Sequence, residues 1–327
     1  MAQDRLMRAA KNANLSGSAH TSFAHRQEAS RFVDTLRELG YGVQKWENVT
    51  NKHMAEVAER WTKGDENGEG KLAVATVKEY LSGVRAVAAS YGNDGIREKN
   101  DFHDAQGEQI VGARVYVTNK SKGVPEEKYE AALARLEAGE HGENGLRLAA
   151  QMRVMHDCGL RHEEARKMNP DESIIVTRSM GEAREGLDIF RGTKGALRRR
   201  HDELTPEGKA AVEGLRPFIG AHGNSMPDGM SERQWERLAY RIAADVGISR
   251  AEAGASFHGL RHEWAQSRYE ALAGFPCPCR GGTPEQAREI AGDDWRAVDR
   301  EARLTLKFEL GHGPDRDSVV SGYIGSW

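Results

Sequence analysis

Apolar residues recur at helical spacing over most of the chain. In its first part, such sets fall at 32–39, 54–61 and 74–88. Residues three or four apart lie on one face of a helix, so these sets predict amphipathic helices. Gly40 is a predicted helix end, and the polar, glycine-rich segment 64–70 predicts a loop.

The second part of the chain contains two kinds of pattern, one typical of helices and one typical of strands. Helical spacing resumes at 126–138 and 146–158, after a polar segment at 118–125 that contains Gly and Pro and predicts a linker. Residues 173–200 include β-branched and alternating stretches, which predict a small antiparallel β element. From residue 205 onward the pattern is helical again.

Length and composition bound the architecture. At roughly 150 residues per domain, 327 residues predict two domains. We expect a mainly α protein with a small antiparallel sheet, made of a helical domain at 1–120 and an α+β domain at 121–327. No run reaches the ~18 apolar residues of a membrane span, the first residues lack an apolar signal core, and three cysteines make no disulfide framework. These features predict a cytoplasmic protein without a membrane partner.

The net charge of the chain favours no particular class of binding partner. Lys plus Arg number 47 and Asp plus Glu 50, which gives a net charge of -3. Binding to DNA would therefore depend on local basic clusters, because phosphate neutralisation depends on where the cations lie.

The pentapeptide Gly-Leu-Arg-His-Glu occurs twice, at 159–163 and 259–263. Each copy places an arginine, Arg161 or Arg261, just past a glycine at a predicted helix start. Helix N-termini favour anions, and a guanidinium adds a planar fork that suits phosphate. Two such arginines could clamp one phosphate, although each alone is more typical of an ion-paired surface residue.

The densest basic cluster lies in the predicted hairpin. It comprises Arg191, Lys194, Arg198, Arg199 and Arg200, with no acidic residue among them. One interpretation is a solvated basic turn. The functional one is a loop that enters a DNA groove, with Lys194 donating a proton to a leaving oxygen.

Two further groups carry possible chemistry. His258 and His262 are four residues apart, a spacing that also suits zinc, but Gly259 stands where a metalloprotease motif has Glu, and a single residue separates the nearby Cys277 and Cys279. Tyrosine side chains ordinarily have a pKa near 10, so a tyrosine such as Tyr323 needs neighbouring cations to act as a nucleophile near neutral pH.

Taken in order, these residues resemble the tyrosine recombinase (phage integrase) family, as found in integrases of mobile elements. The matching motifs are Arg161 with Glu164, Lys194 in a β-hairpin, His258-x-x-Arg261-His262, Leu310-Gly311-His312 and the late Tyr323. The resemblance covers about residues 125–327. The preceding part matches only in being helical and of suitable size for the core-site DNA-binding domain of the family.

The resemblance implies a chemistry on DNA that needs no metal, ATP or other cofactor. Tyr323 would attack the scissile phosphate to form a 3′-phosphotyrosyl link, and Lys194 would protonate the departing 5′ oxygen. Arg161 and Arg261 would hold the non-bridging oxygens, whose developing charge must be stabilised.

The resemblance also implies supporting roles. His258 would assist proton transfer with Tyr323, and His312 would donate a hydrogen bond to the phosphate. We expect Glu164 to support Arg161 or its loop, and His262 to pack or to orient a neighbour.

The partners implied by the resemblance are double-stranded DNA attachment sites. The two domains would clamp the duplex, and a homotetramer on two sites would be active, with an accessory DNA-bending protein as an optional partner. The basic cluster of the hairpin, with Arg114, Lys120 and Lys122 near the linker, would follow phosphates. Some 120 residues before the linker leave room for core-site binding only.

The chain departs from the family pattern in three places. His312 precedes Tyr323 by 11 positions, and about fifty residues separate Arg261 from His312, which predicts an insertion with a helical stretch near 284–308. Only four residues follow Tyr323, so we expect no long C-terminal tail to dock on a neighbouring subunit.

Three alternatives stay open on sequence alone. A telomere resolvase would belong to the same family but tends to be a longer chain. A non-catalytic DNA-binding regulator would keep the fold without the activity. A zinc hydrolase would use His258, His262 and a cysteine.

Overall fold

The computed structural model describes residues 4–65, 67–113, 115, 117–179, 182–313 and 317–327. Arg114 lies outside them. The chain divides into two compact units, Met1–Val115 and Tyr116–Trp327. Among the described residues, every helix is too short or too polar to cross a membrane.

The first unit is helical around one core. Its helices are α1 (Arg5–Asn12), α2 (Ala19–Glu38), α3 (Asn51–Lys63) and α4 (Val74–Ser90). The apolar faces predicted from the sequence are buried, including Phe32, Val57 and Leu81. Gly40 follows the end of α2 with a φ of 83°, a conformation that glycine adopts without strain.

The second unit contains the sheet and most of the helices. Its helices are α5 (Glu126–Glu137), α6 (Gly142–Asp157), α7 (His162–Lys167), α8 (Pro170–Ser173), α9 (Pro206–Glu213), α10 (Glu232–Asp245), α11 (Phe257–Ala273), α12 (Pro284–Ala291), α13 (Trp295–Glu309) and α14 (Asp317–Ile324). The helical stretch predicted near 284–308 is confirmed as α12 and α13.

The sheet has three antiparallel strands in the order β1 (Ile174–Ser179), β2 (Glu182–Ile189) and β3 (Arg199–His201). Leu187 of β2 lies opposite Ile174 on one side and His201 on the other. Because side chains alternate along a strand, Arg199 and His201 point into the protein and Arg200 points out. The predicted fold class, mainly α with a small antiparallel sheet, is confirmed.

Two hydrophobic cores support the second unit. One joins α5, α6, α10 and β2, and the other joins α11, α12, α13 and α14. Arg261 and Tyr323 lie on elements of the second core. Trp327 packs its ring 5.6 Å from that of Trp295, so the residues after α14 contact the same core.

The segment 118–125, predicted as a linker, is part of the second unit. Its Val124 N–H donates to the Gly259 carbonyl at 3.3 Å, and the Ser121 hydroxyl lies 3.1 Å from Gln266 Oε1, both on α11. Asn119 exchanges two hydrogen bonds with the backbone of Ser326. The predicted interdomain linker therefore lies directly after the boundary between the two units, with these polar groups bound to the second one.

Candidate active site

Arg161 stands immediately before α7, as the sequence predicted. Its backbone N–H donates to Glu164 Oε2 at 2.7 Å, and its guanidinium donates to Glu164 Oε1 at 2.7 Å. The first contact satisfies an N–H that a helix start leaves without a helical partner. The start of this short helix therefore fixes Arg161 through Glu164.

Glu164 is a fully buried carboxylate among arginines. Arg199 donates to its two oxygens at 2.5 and 2.6 Å, and Arg261 Nη1 lies 3.8 Å from Oε2. Burial by itself would raise the pKa of Glu164, but the hydrogen bonds and charge of Arg199, with the charges of Arg261 and Arg161, lower it to about 2. The carboxylate is therefore ionised at neutral pH.

Arg261 is fully buried in α11. Its guanidinium donates to the carbonyls of Gly159 and Leu310, and its Nε donates to the Tyr323 hydroxyl at 3.4 Å. Burial lowers the pKa of Arg261. The side chain of Arg261 thus contacts three separate elements: the loop before α7, the residue after α13, and α14.

The predicted helix break at Gly259 is wrong. Arg261 is the fifth residue of α11, which begins at Phe257 and runs through Gly259. A Cβ at Gly259 would lie 2.5 Å from Ala255 Cβ and 2.9 Å from Val124 Cγ2. The glycine allows close packing of 122–124 on α11 rather than the end of a helix.

Tyr323 lies on α14 with its side chain almost wholly buried. Besides the contact of its hydroxyl with Arg261, its carbonyl accepts a hydrogen bond from Gln266 Nε2 at 3.2 Å. Gln266 is itself fully buried on α11. Helix α11 therefore holds both the phenol and the backbone of Tyr323.

Three imidazoles surround the Tyr323 ring. The centroids of His262, His258 and His312 lie 4.5, 5.7 and 5.9 Å from it. Burial, followed by the charge of His258, lowers the pKa of His262 to about 3. His258 keeps a solvent-exposed edge, but loss of hydration on its packed side and the charges of Arg261 and Arg161 lower its pKa as well. Both rings are neutral at neutral pH.

The thiols do not join these histidines. Cys277 is buried in the core formed with α12 and α13, and Cys279 donates to the Thr118 carbonyl at 3.3 Å. Within the described ranges, no three His, Cys, Asp or Glu side chains form a cluster that could hold a metal ion. The geometry thus lends no support to the zinc alternative.

Lys194 is placed differently from the other predicted residues. It is exposed in a turn (Lys194–Ala196) between β2 and β3, and among the described residues no hydrogen bond or ion pair engages it. The start of this connection lies against α7, because a Cβ at Gly192 would be 2.7 Å from the Glu163 carbonyl oxygen. Among the described residues, no hydrogen bond or ion pair joins Lys194 to the arginines or to Tyr323.

The predicted DNA contacts divide into exposed and engaged residues. Lys120, Lys122 and Arg200 are exposed, and Arg198 is exposed although it pairs with Asp188. Arg191 is half-buried between Glu172 and the Gly223 carbonyl.

The prediction that Arg199 contacts DNA is wrong. Its side chain is only 3% exposed and faces Glu164, so it is not a surface contact for DNA. The inward direction follows from its place on β3, where alternate residues face the protein interior.

Two contacts near the site were not predicted from the sequence: Gln266 donates to the Tyr323 carbonyl, and Arg199 donates to Glu164. The position of Gln266 could have been predicted from the sequence. His258, His262 and Gln266 are spaced four residues apart, which places them on one helix face. Nothing local in the run of basic residues at 198–200 distinguishes the inward-facing one.

Known proteins resemble this chain in structure rather than in sequence. No protein-family model and no curated protein sequence matches the chain. Solved structures do match. The XerH site-specific recombinase bound to difH substrate in a pre-cleavage complex is 15% identical, with a TM-score of 0.53 over 94% of this chain and 76% of that chain.

Two integrases match to the same degree. The Tn1549 transposon integrase in complex with transposon right end DNA is 13% identical, with a TM-score of 0.53 over 99% of this chain and 95% of that one. The lambda integrase dimer bound to a COC′ core site is 16% identical, with a TM-score of 0.53 over 99% of this chain and 95% of that one. At these identities the likeness establishes a shared fold. The chain therefore has the fold of these recombinases and integrases, the fold that the resemblance to the tyrosine recombinases predicted.

Proposed function

We propose that the protein is a site-specific DNA recombinase, an integrase of a mobile element, that cuts and rejoins strands through a 3′-phosphotyrosyl intermediate. The observation that carries this proposal is the contact of Arg261 Nε with the Tyr323 hydroxyl at 3.4 Å, beside Glu164 and Arg161. A phenol held against a buried guanidinium is suited to become a phenolate nucleophile.

The attack begins with loss of the phenol proton. Tyr323 Oη forms a bond to the scissile phosphorus while the bond from phosphorus to the 5′ oxygen breaks. His258 takes the phenol proton, since its lowered pKa leaves a neutral ring with an acceptor nitrogen. His262 packs closer to Tyr323 but is buried, which suits an orienting role.

The arginines stabilise the charge that builds on the phosphate. Arg261 has five N–H groups, of which two are bound to the Gly159 and Leu310 carbonyls, so three remain for the phosphate and for Tyr323. Arg161 is partly exposed and can offer the rest of its fork to the same phosphate, and His312 donates a further hydrogen bond. Preorganised donors in a dry site stabilise such charge strongly.

The leaving group needs a proton, which Lys194 supplies to the 5′ oxygen. Because Lys194 lies in an exposed turn, this step requires DNA to bring the turn to the cleaved bond. Reversal of the step by a 5′ hydroxyl of another strand rejoins DNA, and the phosphotyrosyl bond conserves the energy that ATP would otherwise provide.

The DNA-binding surface of the second unit includes Lys120, Lys122, Arg198 and Arg200, all exposed. Arg191 has a smaller part, because its side chain is half-buried and bonded to both Glu172 and the Gly223 carbonyl. The helical first unit would bind the core site, and four subunits on two sites would form the active assembly, with an accessory bending protein where the site demands one. The lambda integrase has been solved as a tetramer bound to a Holliday junction. The protein would act on the nucleoid in the cytoplasm of a bacterial host.

Covalent capture tests this proposal. Randomised duplexes are first enriched for binding to the protein, then nicked so that the freed 5′ fragment diffuses away and traps the adduct. The wild-type protein should shift on a denaturing gel with or without a metal chelator, and Tyr323→Phe should bind the same duplexes without the shift. Binding by the wild type without any adduct would favour the non-catalytic regulator, and an adduct with Tyr323→Phe would show that another residue is the nucleophile.

A further inference from the structure

Arg199 occupies an unusual position for a residue of a basic run. It is the first residue of β3, its side chain is buried, and its two terminal nitrogens meet both oxygens of Glu164. Its Nε donates to the Glu309 carbonyl at 2.8 Å. One side chain thus links the sheet, α7 and the end of α13.

The contacts of Arg199 reach the segment that carries Leu310 and His312. A Cβ at Gly311 would lie 2.8 Å from Arg199 Cδ, so the glycine makes room for the arginine stem. The Leu310 carbonyl accepts a hydrogen bond from Arg261. Arg199 therefore packs against the backbone that holds Arg261 from one side.

Glu164 connects Arg199 to the two arginines of the site. Each of its oxygens accepts a hydrogen bond from Arg161 at 2.7 Å, and Oε2 lies 3.8 Å from Arg261 Nη1. A carboxylate held at both oxygens by a bidentate fork has one fixed orientation. The positions of both Arg161 and Arg261 then depend on how firmly Glu164 is held.

We propose that Arg199 is a positioning residue for strand cleavage, which grips Glu164 from the side of β3 and so fixes the guanidiniums of Arg161 and Arg261 around the scissile phosphate. This inference rests on the proposed recombinase function. It assigns Arg199 to the active-site support and removes it from the DNA-binding surface.

The charges around Glu164 explain why an arginine is needed. Burial favours the neutral acid, and Arg199 provides the largest opposing contribution, ahead of Arg261 and Arg161. His258 also faces this carboxylate, whose charge raises the pKa of His258 against larger lowering effects. Without Arg199, the pKa of Glu164 rises, and a protonated Glu164 loses its charge-assisted grip on the two arginines.

The test compares Arg199→Met with Arg199→Lys, Glu164→Gln and the double variant Arg199→Met/Glu164→Gln. The control is Arg147→Met, which removes another buried arginine, paired with Glu143 on α6 and bonded to the Phe218 carbonyl, outside the site. Affinity and single-turnover adduct formation are measured on the enriched nicked duplexes between about pH 5 and pH 8.

We expect Arg199→Met to bind DNA as wild type does but to form adduct about 100-fold more slowly, the loss typical of a small misplacement of reacting groups. The loss should deepen as pH falls, because Glu164 then takes up a proton. Arg199→Lys should recover part of the rate, and the double variant should be slow but free of the added pH dependence. Arg147→Met should lower stability without changing the pH profile.

Equal pH profiles for Arg199→Met and the wild type would overturn the inference, as would a loss of rate that only follows a loss of folded protein or of DNA affinity. A wild type that forms no adduct would instead contradict the proposed function. In that case urea unfolding still tests the link to Glu164. Acidification from about pH 5 to pH 2 should destabilise Arg199→Met less than the wild type, because a raised pKa of Glu164 in the folded protein lies closer to its value in the unfolded chain.

Discussion

The arginine–tyrosine region and the β2–β3 connection differ sharply in how they hold their functional residues. Arg261, Glu164 and Tyr323 are buried, and Arg261 contacts both of the others. Lys194 is exposed on a turn, without a partner among the described residues. Under the proposed function, the first region would have its geometry before DNA binds, whereas the second would acquire it only with DNA.

The comparison suggests that the two regions have different roles, charge stabilisation in the first and proton donation in the second. Groups that stabilise charge gain most from being fixed in advance, since no reorganisation is then needed during the reaction. A residue that donates a proton must reach the leaving oxygen, and a side chain on an exposed turn is open to the DNA. Substitutions in the fixed region should therefore slow the reaction more than substitutions in the exposed one.

The largest effect is expected at Arg261. Arg261→Met should lower adduct formation on the order of 1,000-fold or more, because it removes a preorganised donor to the phosphate and a contact to Tyr323. Single-turnover gels measure the rate. Arg216→Met, a change at an exposed arginine paired with Glu213 and Asp171, is the matched control and should keep the wild-type rate. A mild loss at Arg261 would show that the fixed region is not the source of the rate.

Lys194→Ala should slow adduct formation by about 100-fold, within the range of general acid catalysis. A substrate with sulfur in place of the bridging 5′ oxygen should restore the rate, since a thiolate leaves without a proton. Folding should not change, because the side chain is exposed, and the affinity for DNA should fall only slightly, because a single cation is lost. If the sulfur substrate gives no recovery, Lys194 has some role other than proton donation.

Glu164→Gln should reduce the free energy of unfolding at neutral pH by about 3 kcal/mol, the cost of breaking a buried ion pair. The pKa of Glu164 is lowered from 4.5 to about 2 in the folded protein. Its charge therefore stabilises the fold above about pH 4.5, and this contribution is lost as pH falls toward 2. Urea unfolding at several pH values should show the wild type and variant converging in acid, and a constant difference would contradict the assignment.

The smallest effect is expected at the exposed lysines. Replacing Lys120 and Lys122 by Gln should weaken DNA binding uniformly and reduce the slope of log affinity against log salt by about 1 for each phosphate that a lysine no longer neutralises. Binding titrations at several salt concentrations measure this slope. An unchanged slope would remove both residues from the DNA-binding surface.

The sequence predicted the elements better than the connections between them. Helical spacing located α4 and α5, and β-branched residues located the sheet, because these signals are local. Motif order also predicted that Arg161, Arg261, His258, His312 and Tyr323 belong together, and the structure gathers them.

What the sequence could not reveal depends on long-range packing. Gly259 resembles a helix break but serves close packing of Val124 on α11. Arg199 is one of three consecutive arginines, and only pairing of β3 with β2 decides that it points inward. The bonds of residues 118–125 to α11 could not be predicted either, since local sequence does not show that polar residues are bound to a distant helix.

The most direct test of the account is the chemical identity of the protein–DNA bond. Adduct formed on nicked duplexes is digested with protease and nuclease, and the modified peptide is sequenced by mass spectrometry. The account predicts a nucleotide joined through its 3′ phosphate to Tyr323 alone. A link to any other side chain, or strand cleavage that leaves no protein on the DNA, would contradict it.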